Sequence, residues 1–145
     1  MVGYYTLKIA MSSWFSIAAA AVKNKRANTI PVEQAFKYSW IPLQLLCFTA
    51  DLTAYNNYRA QYSITVAELT QRDCNGNTAL HLLARAFNDE DEAAAIMTDL
   101  LAIIKTSRVT SVKAVLNMTN NAGYTVVAEA QFYHSNKILA LLPNA

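Results

Sequence analysis

Cys74 and His81 stand seven residues apart, and a thiol beside an imidazole is the smallest pair that supports nucleophilic catalysis. The competing reading is a solvent-facing cysteine and a structural histidine. Thiol reactivity needs nearby positive charge to lower the pKa, and Arg72 is close to Cys74 only along the chain. Cys47 lies in an apolar helical stretch and reads as core. Neither cysteine belongs to a C-x-x-C pair, so no disulfide framework or thiolate metal site is expected. The run Asp89-Glu90-Asp91-Glu92 offers carboxylates, but it lacks the spaced ligands and central glycine of a calcium loop. It reads as the acidic start of a helix, favourable at the positive end of the dipole, and no metal is expected. His134 reads as an exposed turn residue. Lys23, Lys25 and Arg26 suit a helix C-terminus better than a nucleic-acid patch, and the net charge of +2 is too small to imply nucleic acid. Gly-rich phosphate loops, Ser-His-Asp frames and H-E-x-x-H are all missing from the sequence. The expectation is therefore no catalytic residue, no cofactor and no enzyme. The alternative is a fragment of a larger enzyme, with chemistry carried by Cys74 or the N-terminus.

The elements that position these residues follow from composition and period. The chain has 145 residues, one domain's worth, with 54% hydrophobic and 15% charged side chains. An average globular domain carries about 25% charged residues, so this is a core-forming chain and not a disordered one. With Gly 3 and Pro 3, a sandwich of many turn-rich strands is not expected. The longest apolar run, Ile9 to Val22, is shorter than the roughly 20 residues of a membrane span. It reads as a buried helix. A signal-peptide core, with Lys8 before it and Ala18 to Ala21 as small residues for cleavage, is the alternative. Ala93, Ile96, Met97, Leu100, Leu101 and Ile104 recur at helical spacing, with Asn88 or Asp89 as N-cap.

One segment joins turn chemistry to a helix start: Asp73-Cys74-Asn75-Gly76-Asn77-Thr78-Ala79-Leu80-His81-Leu82-Leu83-Ala84. Asp73 is able to accept from the backbone two residues on, and Gly76 to adopt positive φ. Thr78 then opens an apolar helix as its cap. The segment resembles the ankyrin repeat, D-x-x-G-x-T-P-L-H-x-A, at Asp73, Gly76, Thr78, Leu80 and His81, with Ala79 in place of Pro. The resemblance extends upstream through Ala67 to Arg72. A second copy, Asn120 to Ala130, keeps Gly123 and Thr125. A degenerate copy lies at Ile41 to Cys47. Its register is fixed twice: Val32, Leu69 and Leu116 are 37 and 47 apart, as are Leu43, Leu80 and Val127. The family period is about 33 residues, and the excess falls in loops at Phe87 to Glu92 and Ile104 to Val115.

The resemblance implies an all-α fold: an ankyrin-repeat solenoid of stacked antiparallel helix pairs with β-turn fingers. Residues 1–145 would form one domain. Residues 1–29 would be N-terminal capping helices or a decayed repeat, 30–66 a degenerate repeat, 67–113 the near-consensus repeat and 114–145 the C-terminal repeat. The matching histidine of the family is structural and bonds the neighbouring finger, which implies that role for His81.

The resemblance also implies a non-catalytic module that binds a protein partner on its concave face. In this register that face takes Tyr38, Trp40, Arg72, Asn75, Asn77, Arg85, Tyr124 and Tyr133. Lys37, Phe48, Thr49, Cys74, Ala86, Asn121, Ala122 and Phe132 complete the exposed positions. Trp40 and Tyr124 share the finger position of Asn77, and Tyr, Trp and Arg are the residue types enriched at interface hot spots. The expected compartment is the cytoplasm. A bacterial effector acting on a host protein is the alternative suggested by the Asn-rich composition and irregular repeats. Ile138, Leu139, Leu141 and Leu142 give the C-terminal end an apolar character that suggests self-association there.

Overall fold

The structure is a computed structural model that describes residues 38–86 and 89–143. The expected capping helices at Thr6 to Val22, the basic cluster and Val32 lie outside the described residues. Among the described residues the regular elements are eight helices. They are α1 (Pro42–Thr49), α2 (Leu52–Gln61), α3 (Val66–Thr70), α4 (Ala79–Ala84), α5 (Glu90–Thr106), α6 (Val112–Leu116), α7 (Val126–Phe132) and α8 (Asn136–Leu139).

Short polar side chains cap six of these eight helices, all but α1 and α8. Asp51 accepts from the Ala54 N–H at 3.0 Å, Ser111 from the Ala114 N–H at 3.1 Å and Thr125 from the Ala128 N–H at 3.1 Å. Each satisfies one of the N–H groups that a helix leaves open at its first turn. Asp89, one of the two expected caps, caps α5 by accepting from the Glu92 N–H at 3.1 Å, and Asn88, the other, lies outside the described residues. α5 begins at Glu90, as the Asp89 cap requires, so its first turn takes in the end of the stretch read above as a loop. The helical stripe Ala93, Ile96, Met97, Leu100, Leu101 and Ile104 forms its buried face.

Two layers result. α1 packs on α4 and α4 on α7; α2 packs on α5 and α5 on α8. Within each unit α1 meets α2, α4 meets α5 and α7 meets α8. The short helices pack almost wholly through their neighbours: every residue of α4 is buried. A helix of six residues has little stability alone, and tertiary packing supplies it. Leu43, Leu46, Leu80, Leu83, Val126 and Ala130 fill the layer between the first helices of each pair.

The acidic run is spent on this packing. Asp89 caps α5, the Glu92 carboxylate accepts from the Leu52 N–H at 3.2 Å, and Glu90 accepts from the Lys137 N–H at 2.6 Å. Asp91 pairs with the Lys137 ammonium. Glu90, Asp91 and Glu92 thus tie the start of α5 to α2 and α8, while Asp89 closes its first turn. The C-terminal residues need correction. Ile138 is fully buried and Leu142 nearly so, while Leu141 is 37% exposed. The apolar end is mostly absorbed into the core, because α8 packs on both α5 and α7.

Candidate functional site: the groove beside the turns

Two tight turns, 73–77 and 120–124, stand beside the first helices, and the structure repeats one geometry in both. The Asp73 N–H donates to the Asn77 carbonyl at 2.9 Å, and the Asn120 N–H donates to the Tyr124 carbonyl at 3.0 Å. Asp73 Oδ1 accepts from the N–H groups of Asn75 at 2.8 Å and Asn77 at 2.9 Å. Asn120 Oδ1 does the same for Ala122 at 3.1 Å and Tyr124 at 3.0 Å. Gly76 and Gly123 take φ of 77° and 85°, and Ser39 occupies the equivalent position at 60°.

Successive turns are joined through their backbones. The Cys74 N–H donates to the Tyr38 carbonyl at 3.1 Å, and the Asn121 N–H donates to the Asn75 carbonyl at 3.0 Å. Donor and acceptor move together by 47 and 37 residues. That is the spacing found from the apolar anchors.

His81 links a helix start to the next turn. The Thr78 N–H donates to Nδ1 at 3.2 Å, so Nε2 carries the proton and donates to the Tyr124 carbonyl at 3.0 Å. Burial is the main cause that holds the imidazole pKa below its ordinary value. Both ring nitrogens are occupied, so His81 has none left for Cys74. Gln44 does the same work one unit earlier. Its Oε1 accepts from the Ile41 N–H at 2.9 Å and its Nε2 donates to the Gln71 carbonyl at 2.8 Å. Leu80 packs in the core, and Thr78 and Thr125 cap their helices.

Two residues assigned above to the partner-binding face are corrected. Trp40 is 3% exposed; its indole N–H donates to Asp73 Oδ2 at 2.7 Å. Its ring lies 5.5 Å from that of Tyr38 and 4.7 Å from that of Phe48. Asn77 is also 3% exposed, and its Oδ1 accepts from Asn120 Nδ2 at 2.8 Å. The shared position faces the following turn, so it is consumed wherever a turn follows. At one junction an indole donor meets a carboxylate; at the other an amide carbonyl meets an amide N–H. Tyr124 holds the same position in the last described turn and is 40% exposed. Thr49, expected at the surface, is buried with its hydroxyl on the Leu45 carbonyl at 3.1 Å. Cys74 is exposed at its turn. Cys47 is buried, and burial pushes its thiol pKa far up.

Of that face, Asn75, Arg85, Tyr124 and Tyr133 meet in an open groove of about 540 Å³, lined also by Asn77, Asn120, Asn121, Ala122, Glu129 and Phe132. Arg72 lies outside this lining, its guanidinium 3.5 Å from the Thr119 carbonyl. Tyr38 also lies outside it, partly buried with its ring 5.5 Å from that of Trp40. The groove has an exposed aromatic wall. The Tyr124 and Phe132 rings are 6.1 Å apart, and Phe132 and Tyr133 meet edge-on at 5.1 Å.

Two groove residues were not anticipated. Glu129 is buried on the floor, with Oε1 accepting from Asn120 Nδ2 at 2.7 Å and Oε2 3.6 Å from Arg85 Nε. The Arg85 guanidinium carbon also stands 5.4 Å from the Tyr133 ring centre. The sequence held a signal for Glu129: it occupies the register position of Leu45 and Leu82, where an apolar residue is expected. Asn120 likewise stands where the middle unit has Asp73.

Among the described residues no group of three or more His, Cys, Asp or Glu side chains is placed to hold a metal ion. No helix among them is long and apolar enough to cross a membrane. A scan of the chain against protein-family models finds no match, and a search of curated proteins finds none either.

Proposed function

We propose that the chain is an ankyrin-type, non-catalytic interaction module that holds a protein partner in the groove between its fingers and first helices. One observation carries this reading. The turn-to-turn hydrogen bonds recur at the spacing of the sequence repeats, and the groove beside them is open and walled by exposed aromatic rings. Exposed Tyr and Phe clusters beside an arginine are the side chains that dominate protein interfaces, since they bury large area at low entropic cost.

The test is an affinity capture from the source cells with the full chain and a Tyr124→Ala/Phe132→Ala variant. The control variant is Asn56→Ala/Lys105→Ala on exposed positions of α2 and α5. The groove variant is expected to weaken its partner by about 2 kcal/mol, roughly 30-fold, while the control binds as wild type. Retention of the same partner by the groove variant would overturn the assignment.

A further inference from the structure

The groove sorts its charges unequally. Arg85 and Glu129 are the charged side chains among its lining residues. Glu129 is 4% exposed at the side chain and already accepts from Asn120. Asp73, in the adjoining turn, is likewise buried, and its two oxygens take three donors from Asn75, Asn77 and Trp40. The carboxylates on this side are therefore inward-facing and occupied.

The guanidinium of Arg85 faces Glu129 through Nε and stands over the Tyr133 ring at 5.4 Å. Its side chain is 27% exposed against 4% for Glu129, 3.6 Å from its Nε, so the cation is the part of this pair that reaches solvent. The charge that reaches the groove from its walls is thus positive. Beside it stand Phe132, 62% exposed, and Tyr133, 44% exposed. A planar guanidinium flanked by aromatic rings suits a carboxylate, taken by paired N–H donors, whose neighbour is apolar. A basic partner would meet Arg85 before it met Glu129.

We propose that the groove binds an extended segment of a protein partner in which an Asp or Glu sits beside an aromatic or aliphatic residue. The partner's carboxylate pairs with the outer nitrogens of Arg85, and the apolar side chain lies on Phe132 and Tyr133. This rests on the interaction-module reading above and adds the chemistry of the partner.

The experiment is selection from a displayed library of random decapeptides against the full chain, followed by affinity measurement. Selected peptides are expected to share an acidic residue next to an apolar one. Changing that Glu to Gln, or Asp to Asn, in the peptide should weaken binding at least tenfold. Arg85→Gln should do the same, and Phe132→Ala, at an exposed ring, should weaken binding without touching the fold. The peptide substitution leaves the protein unaltered, so it decides the matter even where Arg85→Gln disturbs Glu129. If selected peptides lack an acid, or keep their affinity as the amide, the partner chemistry is wrong. In that case loss of binding in Phe132→Ala preserves the module itself. A library that yields no binder overturns both.

Discussion

Replacing Trp40 with alanine separates a structural indole from a binding one. The ring is 3% exposed, touches Tyr38 and Phe48, and donates to Asp73 at 2.7 Å. Truncating a buried aromatic to alanine costs about 3–5 kcal/mol. The Asp73 oxygen left without its donor adds about 1–3 kcal/mol, less whatever entering water restores. A working loss of about 4 kcal/mol is a large share of the roughly 5–15 kcal/mol that holds a domain. With a urea slope of about 2 kcal/mol/M, the unfolding midpoint should fall by about 2 M. The internal control is Tyr124→Ala at the same register position. That ring is 40% exposed, so its midpoint should move by less than about 0.5 M. Trp40→Phe keeps a ring and loses the donor, and should fall between them. Urea titration followed by circular dichroism gives all three values. Equal shifts for Trp40→Ala and Tyr124→Ala would refute the claim that this position is consumed by the next turn.

The two glycines should respond differently to alanine. Both have positive φ, which costs an L-residue roughly 1–2 kcal/mol. A Cβ at Gly76 would also lie 2.5 Å from Asn121 Oδ1 and 2.8 Å from its backbone nitrogen, while at Gly123 nothing lies within 4 Å. Gly76→Ala should therefore destabilise at least twice as much in the same titration, and equal losses would argue against turn-to-turn packing. His81 makes stability depend on pH. Its folded pKa lies below the unfolded value, so its contribution is complete above about pH 6.5 and is lost as pH falls through the folded pKa. His81→Gln should keep both hydrogen bonds, as Gln44 does, and lose that acid sensitivity; thermal melts at pH 7.5 and pH 5 measure it, and an unchanged pH dependence would contradict the role.

The parts legible in the sequence were those written in local chemistry. Asp73 and Gly76 announce a turn, Thr78 and Thr125 announce helix starts, and the stripe from Ala93 to Ile104 announces one buried face. The all-helical character followed from these. The start of α5 was legible as well, since the acidic run reads as a helix start and Asp89, one of the two expected caps, caps it. The exposed positions were legible only in part. Register says that Trp40, Asn77 and Tyr124 are equivalent, but not that the next turn covers the first two. That contact joins residues 33 apart in one case and 43 in the other. Local patterning carries no record of such pairings. Glu129 and Asn120 escaped for the same reason, since each takes its meaning from a partner in space: Arg85 for one, Asn77 for the other.

The central claim is that binding takes place in the groove beside the turns. Amide hydrogen exchange of the full chain, alone and with the captured partner bound, tests it most directly. The account predicts added protection over residues 72–77 and 120–133, with the outer faces of α2 and α5 unchanged. Protection confined to α2 and α5, with the turns and α7 exchanging as in the free chain, would contradict it.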